Sequence, residues 1–272
     1  MELFVREYGP ADAPAVVFLH GGLMSGWSWA PVVERLPQYR CLVPDLPQYG
    51  GSRRAGPFRM ARAAAAVAEL IGERTTAGRA HLVGFSLGAQ VVLQLLAGQP
   101  HLVDRAVLAG AFVNTMPAAR LVRDLADLLA RTATVRWLAV NRHWAAHGTG
   151  DDARLHTDAQ LGSGTDFAHI ARASAGFTVP PALADCPAPT LVLTGGAEPW
   201  FVRHSARVLG RTLPAATARV ATGMQHNWPL QWPDRFARTV TDWIAGAELP
   251  GWLEPLMPVG ERAARRRGRR RR

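Results

Sequence analysis

The sequence predicts an α/β chain, a doubly wound and mostly parallel sheet with helices on both faces, and three observations carry that prediction. The unbroken apolar run Ala15–Leu19 has the composition of a strand buried on both faces, and Arg40–Val43 and Val103–Ala109 read as further short strands. Helical patterns lie between them, over Phe58 to about Thr76 and from the glycine-flanked Ser86 to about Ala97. Strand and helix alternate in this way from residue 15 to residue 110, as successive β-α-β units require.

Taken in order, Leu3–Tyr8 reads as an edge strand and Gly9-Pro10 through Pro14 as a turn. The Ala15–Leu19 strand runs directly into His20-Gly21-Gly22-Leu23-Met24-Ser25-Gly26. Trp27 to Leu36 has helical spacing and is stopped by Pro37. Arg40–Val43 is the next strand, and Pro44 to Ser52 is a loop rich in turn formers. After the Phe58–Thr76 helix, Leu82–Gly84 leads into the serine turn. The helix beyond it closes at Gly98-Gln99-Pro100.

The alternation then breaks. Residues from about 113 to 182 hold helical patterns, Ala118–Arg131 and Thr134–Ala146, with no strand, and end at Pro180-Pro181. This stretch is expected to be a helical insertion between two strands. Strands resume at Thr190–Thr194 and at about Ala216–Val220. A helix from Pro233 to about Ala247 closes the pattern, and the Pro- and Gly-containing stretch Leu249–Gly260 leads into an arginine block. The expected organisation is one domain over 1–260, with the insertion inside it, and a disordered tail over 261–272.

Composition narrows the function classes. With 48% hydrophobic and 19% charged residues in 272, the chain has the makeup of a soluble globular protein with a sizeable core. No apolar run approaches the roughly 18 residues of a membrane span, and Met1–Glu7 lacks the form of a secretion signal, so the expected location is cytoplasmic. The net charge of +10 is mostly tail: Glu261–Arg272 holds eight arginines and one glutamate, leaving +3 for the rest. Such a block binds polyanions non-specifically at most, and no specific nucleic-acid partner is expected. The basic residues are all arginine, a compositional bias. Cys41 and Cys186 form no disulfide framework or metal-ligand spacing and are expected in the core.

The chemistry centres on Gly84-Phe85-Ser86-Leu87-Gly88. Here a serine stands on a sharp strand-to-helix turn, with glycines where side chains would strike the neighbouring strand or helix. A serine hydroxyl is a weak nucleophile at neutral pH and needs a base, with a further group to orient that base. Glu198 is the first acid after the Thr190–Thr194 strand. His226 lies in the loop between the Ala216–Val220 strand and the last helix, so the chain order is Ser, acid, His. For the oxyanion, the expected amide donors are Leu87, after the nucleophile, and Gly22 in the His20-Gly21-Gly22-Leu23 loop, with Leu23 as second choice. His20 is expected to prop that loop, and the remaining histidines to hold surface or cap positions.

These pieces, with Asp45, Gly50, Ser52 and Arg105-Ala106-Val107-Leu108, resemble the α/β-hydrolase fold family in its cap-bearing, single-domain form, over roughly residues 3 to 247. The resemblance implies an eight-stranded sheet, a site at the carboxyl ends of the strands under a helical cap, and ester, thioester, lactone or carbon–carbon hydrolysis without a cofactor. Glu198 stands where the family more often has aspartate, and Gln48 where it more often has glycine. Serine at 86 sets the chain apart from the epoxide hydrolases and haloalkane dehalogenases of the same fold.

The expected function is hydrolysis of a small ester-like acyl substrate by Ser86, Glu198 and His226, with Gly22 and Leu87 as the oxyanion hole and no metal or cofactor. Two other readings stay open: the same triad used for carbon–carbon hydrolysis, lyase or acyl-transfer chemistry, and a non-catalytic, receptor-like binding module. Trp137, Trp144, Phe167 and Phe177 are candidates for an apolar pocket or for cap core. Arg120, Arg123, Arg131, Arg136 and Arg142 are candidates for meeting an acidic substrate or, the preferred reading, for a solvated helix face. The oligomeric state is not legible in the sequence.

Overall fold

A computed structural model describes residues 1–114 and 164–256. Its strands are β1 (Val5–Tyr8), β2 (Ala15–Leu19), β3 (Arg40–Pro44), β4 (Ala80–Phe85), β5 (Val103–Ala109), β6 (Thr190–Gly195), β7 (Ala216–Ala221) and β8 (Leu253–Pro255). They form one sheet in the order β1-β3-β2-β4-β5-β6-β7-β8. The inner pairings are parallel, while β1 runs antiparallel to β3 and β8 antiparallel to β7 at the two edges.

Side chains alternate across this sheet with period two, so a continuous apolar strand feeds two cores. Val17, Leu19, Leu82 and Leu108 face one layer with α2 (Met60–Arg74), α3 (Leu87–Gly98) and α5 (Trp200–Thr212). Val16, Phe18, Val83 and Val107 face the other, with α1 (Ala30–Val33), α6 (Trp228–Gln231) and α7 (Pro233–Ile244). Trp29, Trp228, Phe18 and Phe236 are fully buried in that second layer, and such side chains contribute about 1.5–3 kcal/mol each. Both cysteines are buried and free, and burial pushes the Cys41 thiol up to about 12, so it packs rather than reacts.

The expected strands are found within a residue or two, and three expectations need correction. The helix over Trp27–Leu36 is instead a 3-10 turn, Gly26–Trp29, followed by the single turn α1. Pro31 fits only at a helix start, and Leu36, preceding Pro37, is disfavoured in helical geometry. The closing helix ends at Ile244, not about Ala247, because Gly246 takes φ +68° and turns the chain out. The stretch 249–260 is not only a linker to the tail, since it contains β8. Helix α5, unassigned from sequence, buries Val202, Ser205, Ala206 and Leu209 on one face.

The expected insertion falls largely on residues outside those described, as do Trp137, Trp144, the five arginines named with them and the 261–272 tail. At its edges, α4 (Gly164–Ala175) is helical and Phe177 is buried in the first core layer. The side chain of Phe167 lies outside the description. The chain on either side is tied together: Asn114 N donates to Phe177 O at 2.7 Å and Asn114 Nδ2 to Ala175 O at 3.0 Å. Among the described residues no helix is long and apolar enough to cross a membrane.

Candidate active site

Ser86 sits between β4 and α3 with φ 52° and ψ −110°, a left-handed conformation that costs a non-glycine residue on the order of 1–3 kcal/mol. Its surroundings hold it there. Ser86 N donates to Ala109 O on β5 at 2.8 Å, and Ser86 O accepts from Gln90 N at 3.2 Å. The flanking glycines are sterically required. A Cβ on Gly84 would stand 2.7 Å from the Ala89 backbone, and one on Gly88 2.2 Å from Leu19 O on β2. Helix α3 thus passes too close to β4 and β2 for any side chain at either position. Leu87 is its first residue, so its amide has no acceptor within the helix and lies at the positive end of the dipole.

The loop after β2 is fixed by His20, which is fully buried. Leu46 N donates to His20 Nε2 at 2.9 Å, so Nδ1 carries the proton and donates to Gly21 O at 2.8 Å. With both ring nitrogens engaged, His20 props the loop. A Cβ on Gly21 would press 2.9 Å from the Phe85 ring, whereas one on Gly22 would meet only Tyr49 Oη, at 3.7 Å. Leu23 follows with φ 64°, turning the chain away directly after Gly22.

Asp45 anchors this corner from below. Its buried carboxylate accepts from Arg6 Nη1 at 2.6 Å, Gly26 N at 2.7 Å and Gly51 N at 2.8 Å. A charge removed from water is tolerated only with this degree of pairing. Gln48, where the family more often has glycine, adopts φ 67°, and its side-chain oxygen accepts from Phe58 N. The strain of a side chain there is thus partly offset by a bond that glycine could not make.

At the other side of the elbow, the loops after β6 and β7 interlock. Gly196 N donates to Ala221 O at 2.8 Å and Ala197 N to Met224 O at 2.9 Å. The structure brings Glu198 and His226 together on these loops, with His226 Nδ1 3.2 Å from Glu198 Oε1. The Glu198 side chain is wholly buried and that of His226 is 37% exposed. Thr194 Oγ1 donates to Glu198 Oε2 at 2.8 Å, so both carboxylate oxygens are engaged and the acid has one orientation. The His226 ring packs on Phe85, the residue before Ser86, with centroids 5.0 Å apart. No hydrogen bond joins Ser86 to His226 in this structure; such contacts are often long until substrate is bound.

Two residues of this arrangement were not singled out from sequence. Thr194 was assigned only as the end of a strand, and its hydroxyl is what pins Glu198. Gly110, one residue past β5 at φ +61°, forms the floor of the pair. A Cβ there would lie 2.7 Å from His226 Cε1, 2.9 Å from its Nδ1 and 3.2 Å from Glu198 Oε1. The only sequence signal for Gly110 is a glycine at the carboxyl end of a central strand.

Comparisons with known proteins agree with this architecture. The chain is 25% identical over 268 residues to an AB hydrolase superfamily protein of Gibberella zeae, covering 93% of this chain and 88% of that one. It is 25% identical over 256 residues to the carboxylesterase YbfK of Bacillus subtilis, covering 88% and 82%. A hydrolase from Pseudomonas aeruginosa has the same fold at 21% identity, with a TM-score of 0.75 over 90% of this chain and 94% of that one. Residues 14–157, just over half of the chain, match the model of the alpha/beta hydrolase fold, and the chain therefore belongs to that family.

Proposed function

We propose that the protein is a serine hydrolase that cleaves a small ester-like substrate (an ester, thioester or lactone) through an acyl-enzyme on Ser86. One observation carries the reading. A buried, doubly bonded carboxylate holds Nδ1 of a half-exposed histidine at 3.2 Å, and that histidine packs beside a serine turn held at φ 52°. Similarity to a carboxylesterase over most of both chains supports an ester-like bond as the target.

The chemistry follows from the hydrogen bonding. Nδ1–H donates to Glu198, which leaves the lone pair on His226 Nε2. Nε2 takes the hydroxyl proton of Ser86 as Oγ bonds to the substrate carbonyl carbon, and the carbonyl electrons move onto oxygen. The amides of Gly22 and Leu87 receive that oxyanion, and the positive end of α3 favours the same charge. Collapse of the intermediate breaks the bond to the leaving alcohol or thiol, which takes its proton from Nε2. Water then attacks the acyl-enzyme by the same route, releasing the acid and restoring Ser86. Glu198 holds the ring and stabilises the imidazolium as it forms.

Turnover of p-nitrophenyl butyrate by the full chain tests the reading. Activity is expected in the wild type, and in Ser86→Ala and His226→Ala it should drop by about three orders of magnitude or more. Full activity in Ser86→Ala would contradict the proposal.

A further inference from the structure

We infer that the C-terminal segment Trp252–Glu254 is a positioning element for His226, an inference that rests on the serine hydrolase reading. The His226 ring meets Glu198 and Phe85 and lies over Gly110, yet 37% of its side chain is exposed. Where the ring stands therefore depends also on the backbone of its short loop, which enters from β7 and leaves into α6.

Both stems of that loop rest on this one short segment. On the entry side, Leu253 pairs with Ala221 and Glu254 with Val220, and Leu256 N beyond them donates to Ala218 O at 3.1 Å. On the exit side, the Trp252 ring meets Trp228 edge-on, with centroids 5.8 Å apart. Trp228 lies two residues after His226 and is fully buried. Leu253 is 4% exposed and belongs to the same core layer as Met224, Trp228 and Phe236. Trp252 is itself clamped from outside, because the Arg235 guanidinium lies 5.5 Å from its ring and 5.2 Å from that of Trp232.

A strand that only covered a sheet edge would need the backbone ladder alone. The tryptophan contact to the other stem is what links this segment to the histidine. Loss of the Trp252 ring removes one wall of Trp228 and lets the exit stem shift. A displacement of about 1 Å at a catalytic group costs ~100-fold in rate.

The test compares Trp252→Ala, Trp252→Phe and the milder Arg235→Gln with wild type, all in the full chain. Two readouts are taken: hydrogen exchange of the 222–228 peptide, and kcat and KM for p-nitrophenyl butyrate. The expected result for Trp252→Ala is faster exchange in 222–228 with β5 and β6 peptides unchanged, kcat lower by ~30–100-fold and KM within about twofold. Trp252→Phe should recover most of both, and Arg235→Gln should lie between it and wild type. Unchanged exchange in 222–228, or unchanged kcat alongside a lowered Tm, would overturn the inference and leave β8 as edge cover. A wild type that turns over no ester while Trp252→Ala still loosens 222–228 would contradict the hydrolase reading instead, with the mechanical coupling intact.

Discussion

Gly110→Ala places one methyl group under the Glu198–His226 pair. The new Cβ would lie 2.7 Å from His226 Cε1 and 2.9 Å from Nδ1, where ordinary contact begins at 3.4 Å. The ring must therefore retreat by at least about 0.7 Å, while Glu198, wholly buried and bonded to Thr194, cannot follow freely. A shift of this size at a general base costs ~100-fold in kcat, which is about 2.7 kcal/mol of barrier. The alanine also inherits φ +61°, adding about 1–2 kcal/mol of strain to the folded state. Together these predict a Tm lower by several degrees and a kcat lower by about two decades, with KM for a small ester nearly unchanged. Steady-state kinetics with p-nitrophenyl butyrate, beside a thermal melt, reads both. A variant that melts several degrees lower yet keeps wild-type kcat would show that His226 can move without consequence.

Other perturbations probe the acid, the loop corner and pH. Glu198→Gln preserves shape but removes the charge that opposes the imidazolium; kcat should fall by up to ~10⁴-fold with an unchanged circular dichroism spectrum. A loss of under tenfold would mean that a different carboxylate orients His226. Asp45→Ala removes a buried acceptor from Arg6, Gly26 N and Gly51 N, and should cost about 3–5 kcal/mol in urea denaturation. A cost below about 1 kcal/mol would show that the corner is held by other contacts. Burial pushes the His81 imidazole below its ordinary range; Asp104 opposes this and Arg105 adds to it. The unfolded chain therefore takes up a proton first, so this contribution is intact above about pH 6.5 and is lost as pH falls below it. His81→Leu should accordingly lose less Tm between pH 7.5 and 5.5 than wild type, and an equal loss would assign the acid sensitivity elsewhere.

What could be read from sequence was whatever local sterics and strand ends dictate. Gly84 and Gly88 were legible because a helix that follows a strand by one residue leaves no room for side chains, and backbone atoms lie within 2.7 Å of both missing Cβ positions. The pairing of Glu198 with His226 was legible from chain order because parallel strands deliver their following loops to one edge of the sheet. Gly110 was hidden because its role is tertiary: among 26 glycines, nothing local marks the one lying beneath a histidine 116 residues later. Thr194 was hidden in the same way, since a threonine ending a strand is ordinary until its hydroxyl is seen on Glu198. β8 is three residues long, too short for periodicity, and its pairing with β7 is non-local. The split of the expected Trp27–Leu36 helix was foreshadowed by Pro31, whose weight against the apolar spacing is settled only by packing.

If Ser86 is a nucleophile activated by His226 and Glu198, covalent capture will find it. The full chain is treated with a fluorophosphonate probe, digested, and the modified peptide sequenced by mass spectrometry. A single phosphonylated site at Ser86 is expected, with labelling abolished in Ser86→Ala and strongly slowed in His226→Ala. An unlabelled Ser86 in folded wild-type protein, or labelling that persists at the same rate without His226, would contradict it.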